Sequence, residues 1–177
     1  MTRIAARVLL AGLVLWSFAV YGGLPASVPV HFDALGRPDA WADRSLIGWL
    51  LLPGVGAVVL AVTGWASGRA RATPESVNIP DKAAFLALPE AARDRVLEEL
   101  DGLLGWVEFG TIALLFAIQV ARLRAASGGD TGTLLVVALV ATLLASPVLI
   151  VVLLVRLQRA LARERARLAD EPRSAET

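Results

Sequence analysis

The chain has 177 residues, 56% of them hydrophobic, with a formal net charge of +1 and a mean hydropathy of +0.66. A near-neutral chain carries no basic field for nucleic acid. With no cysteine, disulfides, thiolate metal sites and cysteine nucleophiles are excluded. The apolar residues are gathered in long blocks, so the expected class is an all-α integral membrane protein, a four-helix bundle of four transmembrane helices.

The first apolar run is Ile4 to Leu24, interrupted only by Arg7. Crossing roughly 30 Å of hydrocarbon takes about 20 helical residues, so this run suffices. Arg3 and Arg7 ahead of Val8 to Val20 would also suit a signal peptide. Val20-Tyr21-Gly22 is a poor cleavage site, however, and an uncleaved span is expected. A polar loop, 25–45, follows. The second span is about 46–65 and contains Pro53-Gly54, tolerable in a membrane helix where neighbours satisfy the freed backbone.

The loop 66–102 is expected to be partly helical. Ile79 to Lys82 forms a turn-like tetrad, and Pro89 suits the start of a helix. From Glu90 onward Val96, Leu97, Leu100, Leu103 and Leu104 recur at helical spacing. That helix should run into the third span, about 103–121, with Gly102 the one point where a break could fall. The fourth span falls within 126–157, about Leu134 to Val155, and should kink at Ser146-Pro147. A basic tail, 158–177, continues it. There Leu154, Leu157, Leu161 and Leu168 make an apolar stripe among arginines. The expected form is a helix emerging into water; the alternative is a helix lying on an anionic membrane surface. Pro172 to Thr177 should be disordered.

Charge sets the orientation. Of the 17 Lys and Arg residues, only Arg37, Arg44, Arg122 and Arg124 fall in loop 25–45 and the short loop between the third and fourth spans. The others cluster at the N-terminus, in 66–102 and in the tail. The positive-inside rule places both termini and 66–102 in the cytoplasm and 25–45 outside. Trp16, Trp49, Trp65 and Trp106 suit anchoring at the membrane interfaces, with packing between helices the alternative.

The stretch Leu24 to Arg44 is the richest in chemistry. It holds the only histidine, His31, with Asp33, Asp39, Asp43, Trp41, Arg37 and Arg44. Pro25 and Pro29 favour extended backbone before them, and Gly36-Arg37-Pro38-Asp39 reads as a turn. Val28, Val30 and Phe32 alternate with Pro29, His31 and Asp33, which permits a short extended segment. His31 and Asp33 could share a proton or a metal ion, but a metal would need a further ligand such as Asp39 or Asp43. Neither a metal site nor a cofactor is expected. The structural alternative is that the carboxylates satisfy turn amides and His31 bonds to a neighbour.

The pattern LP-x-x-VP-x-HFD-x-x-G-x-PD-x-W, Leu24 to Trp41, resembles a bacterial membrane-protein family of unknown function. Its domain also forms the N-terminal part of Sdp-type immunity and signalling proteins. Within that pattern His31, Phe32, Asp33, Gly36, Pro38, Asp39 and Trp41 are the candidate binding residues. Asp33 stands where asparagine is usual, and Arg44 where lysine is usual. NIPDK-AAFLA-LPE, Asn78 to Glu90, is similar to a second family segment and singles out Asn78, Pro80, Asp81, Lys82 and Phe85. There Asp81 replaces asparagine, Phe85 replaces tryptophan, and Leu88 looks like an insertion. The likeness covers roughly Val8 to Ala125. It implies a multi-pass protein of the bacterial plasma (inner) membrane and no particular reaction.

Glu108 lies inside the third span, where a carboxylate is costly and must face the bundle or the interface. With Thr111 and Gln119 it suggests a sparse polar seam leading to Arg122; interhelical hydrogen bonding is the structural alternative. No hydrolase, P-loop or Rossmann signature is present, so no catalytic residue is assigned. The leading expectation is a non-enzymatic sensor, binding or immunity-type protein that meets an extracellular peptide or small molecule through 24–44. Its partners would be the lipid bilayer, a cytoplasmic protein and a second copy of itself. A small oligomeric transporter or channel component using Glu108 and Gln119 is the first alternative. A membrane-embedded metalloenzyme is the second.

Overall fold

The computed structural model describes residues 2–170, Leu134 by its backbone alone; the expectation for 172–177 lies outside these residues. Helix α1 is Thr2–Tyr21, about 30 Å long at 1.5 Å per residue. After Gly22 and Gly23 the chain forms two antiparallel strands, β1 (Ser27–Phe32) and β2 (Pro38–Asp43). Ser45 caps helix α2 (Leu46–Ala72), its side chain accepting a hydrogen bond from Gly48 N at 3.1 Å. A 3₁₀ turn at Pro74–Ser76 leads to α3 (Lys82–Leu86), then α4 (Glu90–Ala126) and α5 (Gly132–Asp170). α1, α2, α4 and α5 are each long and apolar enough to cross a membrane. The expected helical membrane protein is therefore what the chain builds, with one small sheet added.

Two of the helices run on well past their membrane-spanning stretches. α4 is unbroken through Gly102, so the amphipathic segment and the third span form one 37-residue helix. A lone glycine costs a helix only about 1 kcal/mol, and packing along the helix outweighs it. α5 likewise carries the fourth span into the tail without interruption, passing through Pro147.

α4 is the hub, packing against α1 and α2 on one side and α5 on another. Gly105, Glu108, Ile112, Leu115, Gln119 and Arg122 are buried along it at alternating spacings of three and four, the repeat of a helix face turned to partners. Gly105 lets α1 come close, since a side chain there would begin 3.0 Å from the Arg3 backbone nitrogen. α5 leaves Leu143, Leu144, Val148 and Val151 exposed. On a soluble protein such a face would be a liability, whereas a bilayer solvates it.

Beyond the far ends of the spans, away from the hairpin, a second core forms. Ala70, Ile79, Phe85, Leu88, Val96 and Leu97 bury Leu157 and Leu161 of the tail. Leu154 and Leu168 of the same stripe point outward. Arg95 holds Glu164 with both Nε (3.0 Å) and Nη2 (2.6 Å), and Arg165 reaches Asp81 at 3.1 Å. The tail is thus a helix packed on protein along one face.

Candidate functional site

The hairpin is built by local chemistry. Asp33 Oδ1 accepts from the backbone N–H of Leu35 (2.9 Å) and Arg37 (2.8 Å), drawing the chain into a turn. Gly36 follows at φ +74°, the left-handed region open to glycine. A Cβ there would also lie 2.8 Å from the backbone of Gly132, and Thr131 Oγ1 donates to Gly36 O at 2.9 Å. The hairpin tip therefore docks on the start of α5. Pro29 of β1 faces Trp41 of β2. Pro29 is buried, while Trp41 is about half exposed.

His31 Nδ1 lies 2.6 Å from Asp39 Oδ1 across the hairpin, and both are exposed. Asp33, the other partner considered for His31, is taken up by the turn amides. Phe32 and Pro38 pair where the strands open into the turn and are half-buried. Val30 and Leu35 add exposed apolar surface. The seven candidate residues thus share one hairpin. Its outward side offers an aromatic ring, an imidazole–carboxylate pair and apolar side chains, which suits recognition. Among the described residues no group of three or more His, Asp, Glu or Cys is placed to hold a metal ion.

Beneath the hairpin lies a buried polar network centred on Arg122. Its Nε donates to Pro29 O at 3.0 Å, and Nη1 and Nη2 donate to Gly48 O at 3.3 Å each. Nη1 also donates to Gln119 Oε1 at 3.2 Å, and the guanidinium carbon stands 4.9 Å over the Trp49 ring. Gln119 Nε2 donates to Trp49 O at 2.9 Å, and Trp49 Nε1 donates to Ser17 O at 3.0 Å. α1, β1, α2 and α4 are joined through this one cluster. Trp49 is fully buried, so it packs between helices rather than anchoring at an interface. Arg122, counted from the sequence as a loop charge, is 5% exposed.

The polar seam divides in two. Glu108, 2% exposed, belongs to a separate cluster at the other end of the bundle. Thr63 Oγ1 donates to its Oε1 at 2.5 Å, and Arg3 Nε lies 3.6 Å from the same oxygen. Arg3 also donates to Ser67 Oγ at 2.6 Å and meets Asp101 at 3.5 Å. Asp101 is further paired with Arg71. Ile112 and Leu115 fill the buried face between Glu108 and Gln119, which lie eleven residues, about 16 Å, apart along the helix. Thr111 stands apart from both clusters, lining an apolar groove of about 310 Å³ toward Thr142 and Ser146 of α5. Thr111 sits at the edge of the buried face, half-buried, on the side where α5 packs.

In the second motif Phe85 is the core residue, fully buried. Asp81 adopts φ +53° and caps α3, accepting from Ala84 N at 3.4 Å. Asparagine and aspartate both tolerate this conformation. Pro80 is half-buried, and Asn78 and Lys82 are exposed. Nearby, the bidentate hydrogen bonds from Arg95 hold the Glu164 carboxyl below the usual carboxylate range; its charge and that of Arg167 add to this, against a desolvation that works the other way.

Sequence reasoning missed Ser17, Pro29 and Thr131 as members of these contacts, and the anchoring role of Arg122. Arg122 carried one signal: it continues the three-and-four spacing of Glu108, Leu115 and Gln119. The others act mostly through backbone atoms or a single hydroxyl and left no sequence pattern.

Residues 8–57, from α1 through the hairpin into α2, match the family model of a domain of unknown function (DUF1648). No curated protein and no solved structure matches the chain.

Proposed function

We propose that this is a non-enzymatic sensor or binding protein of the bacterial plasma membrane, with the hairpin outside and both termini in the cytoplasm. The single observation that carries it is the unbroken α4. This helix is tied to the hairpin through Arg122 at one end, and it forms the core with Phe85 through Ala92, Val96 and Leu97 at the other. A ligand that shifts the hairpin acts on the same rigid rod that organises the far module. Rigid elements with packed ends are how such coupling is carried. The ligand is a peptide or small molecule that meets Trp41, Leu35 and the His31–Asp39 pair. The far module, with exposed Asn78 and Lys82, meets a cytoplasmic protein partner.

The distribution of Lys and Arg supports this orientation. The burial of Arg122 adds to the support, because one charge that opposed it serves inside the fold. The resemblance to immunity-type proteins supports a protective role for the same hairpin. A transport route through Glu108 and Gln119 has less support, since Ile112 and Leu115 separate two closed polar clusters.

The test substitutes His31, Asp39 and Trp41 with alanine in the intact protein. Membrane insertion and yield should be retained while a stress or toxin-resistance phenotype changes. Normal insertion together with a wild-type phenotype in all three variants would contradict the proposal.

A further inference from the structure

A pocket of about 260 Å³ lies between the end of α2 with the following 3₁₀ turn and the first two turns of α4. It is lined by Arg71, Pro74, Glu90, Arg93, Asp94 and Leu97, with Ala72. Its lining is charged, unlike the apolar groove between α4 and α5. The buried Nε of Arg93 has no hydrogen-bond partner among the described residues. Leaving a buried charged donor unmet is costly, and a native structure supplies a reason for it. The other cation, Arg71, is held in place by Asp101 and by Ser67 O at 3.4 Å. Two guanidinium groups thus stand with two carboxylates, Glu90 and Asp94, in one cavity.

We propose that this pocket binds a phosphate joined to a primary ammonium by a short linker, an ethanolamine-phosphate group. Arg93 and Arg71 take the phosphate oxygens, for which guanidinium geometry is suited. Glu90 and Asp94 accept from the ammonium. A plain anion would meet the two carboxylates unfavourably. A quaternary ammonium would offer them no N–H donor. A phosphatidylethanolamine headgroup is one source of this chemistry. A free ethanolamine phosphate carries the same chemistry. The inference does not depend on the sensor proposal.

The test uses the full-length protein, delipidated in detergent, with native mass spectrometry and thermal unfolding as readouts. Phosphatidylethanolamine, phosphatidylcholine and phosphatidylglycerol are each added, and O-phosphoethanolamine is added alone and as competitor. Phosphatidylethanolamine should be retained over the other two by about tenfold, the worth of one charge-assisted hydrogen bond. That preference should fall severalfold in Arg93→Leu and in Asp94→Asn, and persist in Arg159→Leu, whose side chain is exposed and lies outside the pocket. Asp94 is exposed, so Asp94→Asn reports even where Arg93→Leu fails to fold. Competition by O-phosphoethanolamine would identify a soluble source; retention of the lipid preference without competition would identify the bilayer. Equal retention of all three lipids with no response to O-phosphoethanolamine would overturn the proposal, as would preference for phosphatidylglycerol.

Discussion

Replacing Gly36 with alanine should undock the hairpin while leaving the helices in place. The residue sits at φ +74°, where an L side chain costs about 1–2 kcal/mol. The new Cβ would lie 2.8 Å from the Gly132 backbone, so the tip must withdraw. Withdrawal breaks the Thr131–Gly36 hydrogen bond, which contributes about 0.5–1.5 kcal/mol. The lower freedom of alanine in the open state offsets about 0.4–1 kcal/mol. The net is about 2 kcal/mol, or a roughly thirtyfold larger open fraction. Hydrogen exchange of peptides covering 27–43, measured in lipid nanodiscs, reads this directly. α1 and α2 should exchange as in wild type, and so should α4, because the Arg122–Pro29 hydrogen bond lies away from the tip and is kept. Gly36→Asn separates the two causes, because asparagine tolerates the left-handed region but carries the same Cβ. It should remain undocked through the contact with Gly132. Unchanged hairpin protection in Gly36→Ala would refute the docking geometry, and full protection in Gly36→Asn would refute the role of the contact.

Two further outcomes follow from the far module. Phe85→Ala should destabilise it by about 3–5 kcal/mol, the range for emptying a buried aromatic site, seen as early proteolysis of 73–100 and of the tail with the spans intact. Glu164 has a folded pKa below its unfolded value, so its contribution is fully present above the ordinary glutamate value of about 4.3 and is lost as the pH falls through the folded one. The docking of α5 on α4 should weaken in acid in wild type, whereas the neutral Glu164→Gln should be weaker at neutral pH and respond less to acid. Stability measured from pH 7 to pH 3 in both proteins checks it.

The membrane-spanning helices were legible because hydropathy and length determine them nearly alone. The hairpin was half legible. Val28, Val30 and Phe32 alternate as a strand should, but its partner PDAWAD is proline, aspartate and alanine around a single aromatic, poor in strand formers. It is a strand because β1 pairs with it and Gly36 anchors the turn. Arg122 was misplaced for a related reason. An arginine at a span end reads as a loop charge, and only the carbonyls of Pro29 and Gly48, from distant segments, reveal it as an internal anchor. Glu108 and Gln119 are both buried polar groups, yet their partners sit on α1 and α2, so their separation into two clusters required the tertiary arrangement. The leucine stripe of the tail marked an apolar face, but did not show that the core around Phe85 would cover part of it.

The coupling of the hairpin to the far module through α4 is the claim on which the account rests. Hydrogen exchange of 79–100 in nanodiscs, compared between wild type and Arg122→Gln, tests it most directly. Removing the Arg122 anchor should change exchange in 79–100, although no hydrogen bond of Arg122 reaches that segment. Loosening confined to the hairpin and its neighbours, with 79–100 exchanging as in wild type, would contradict it.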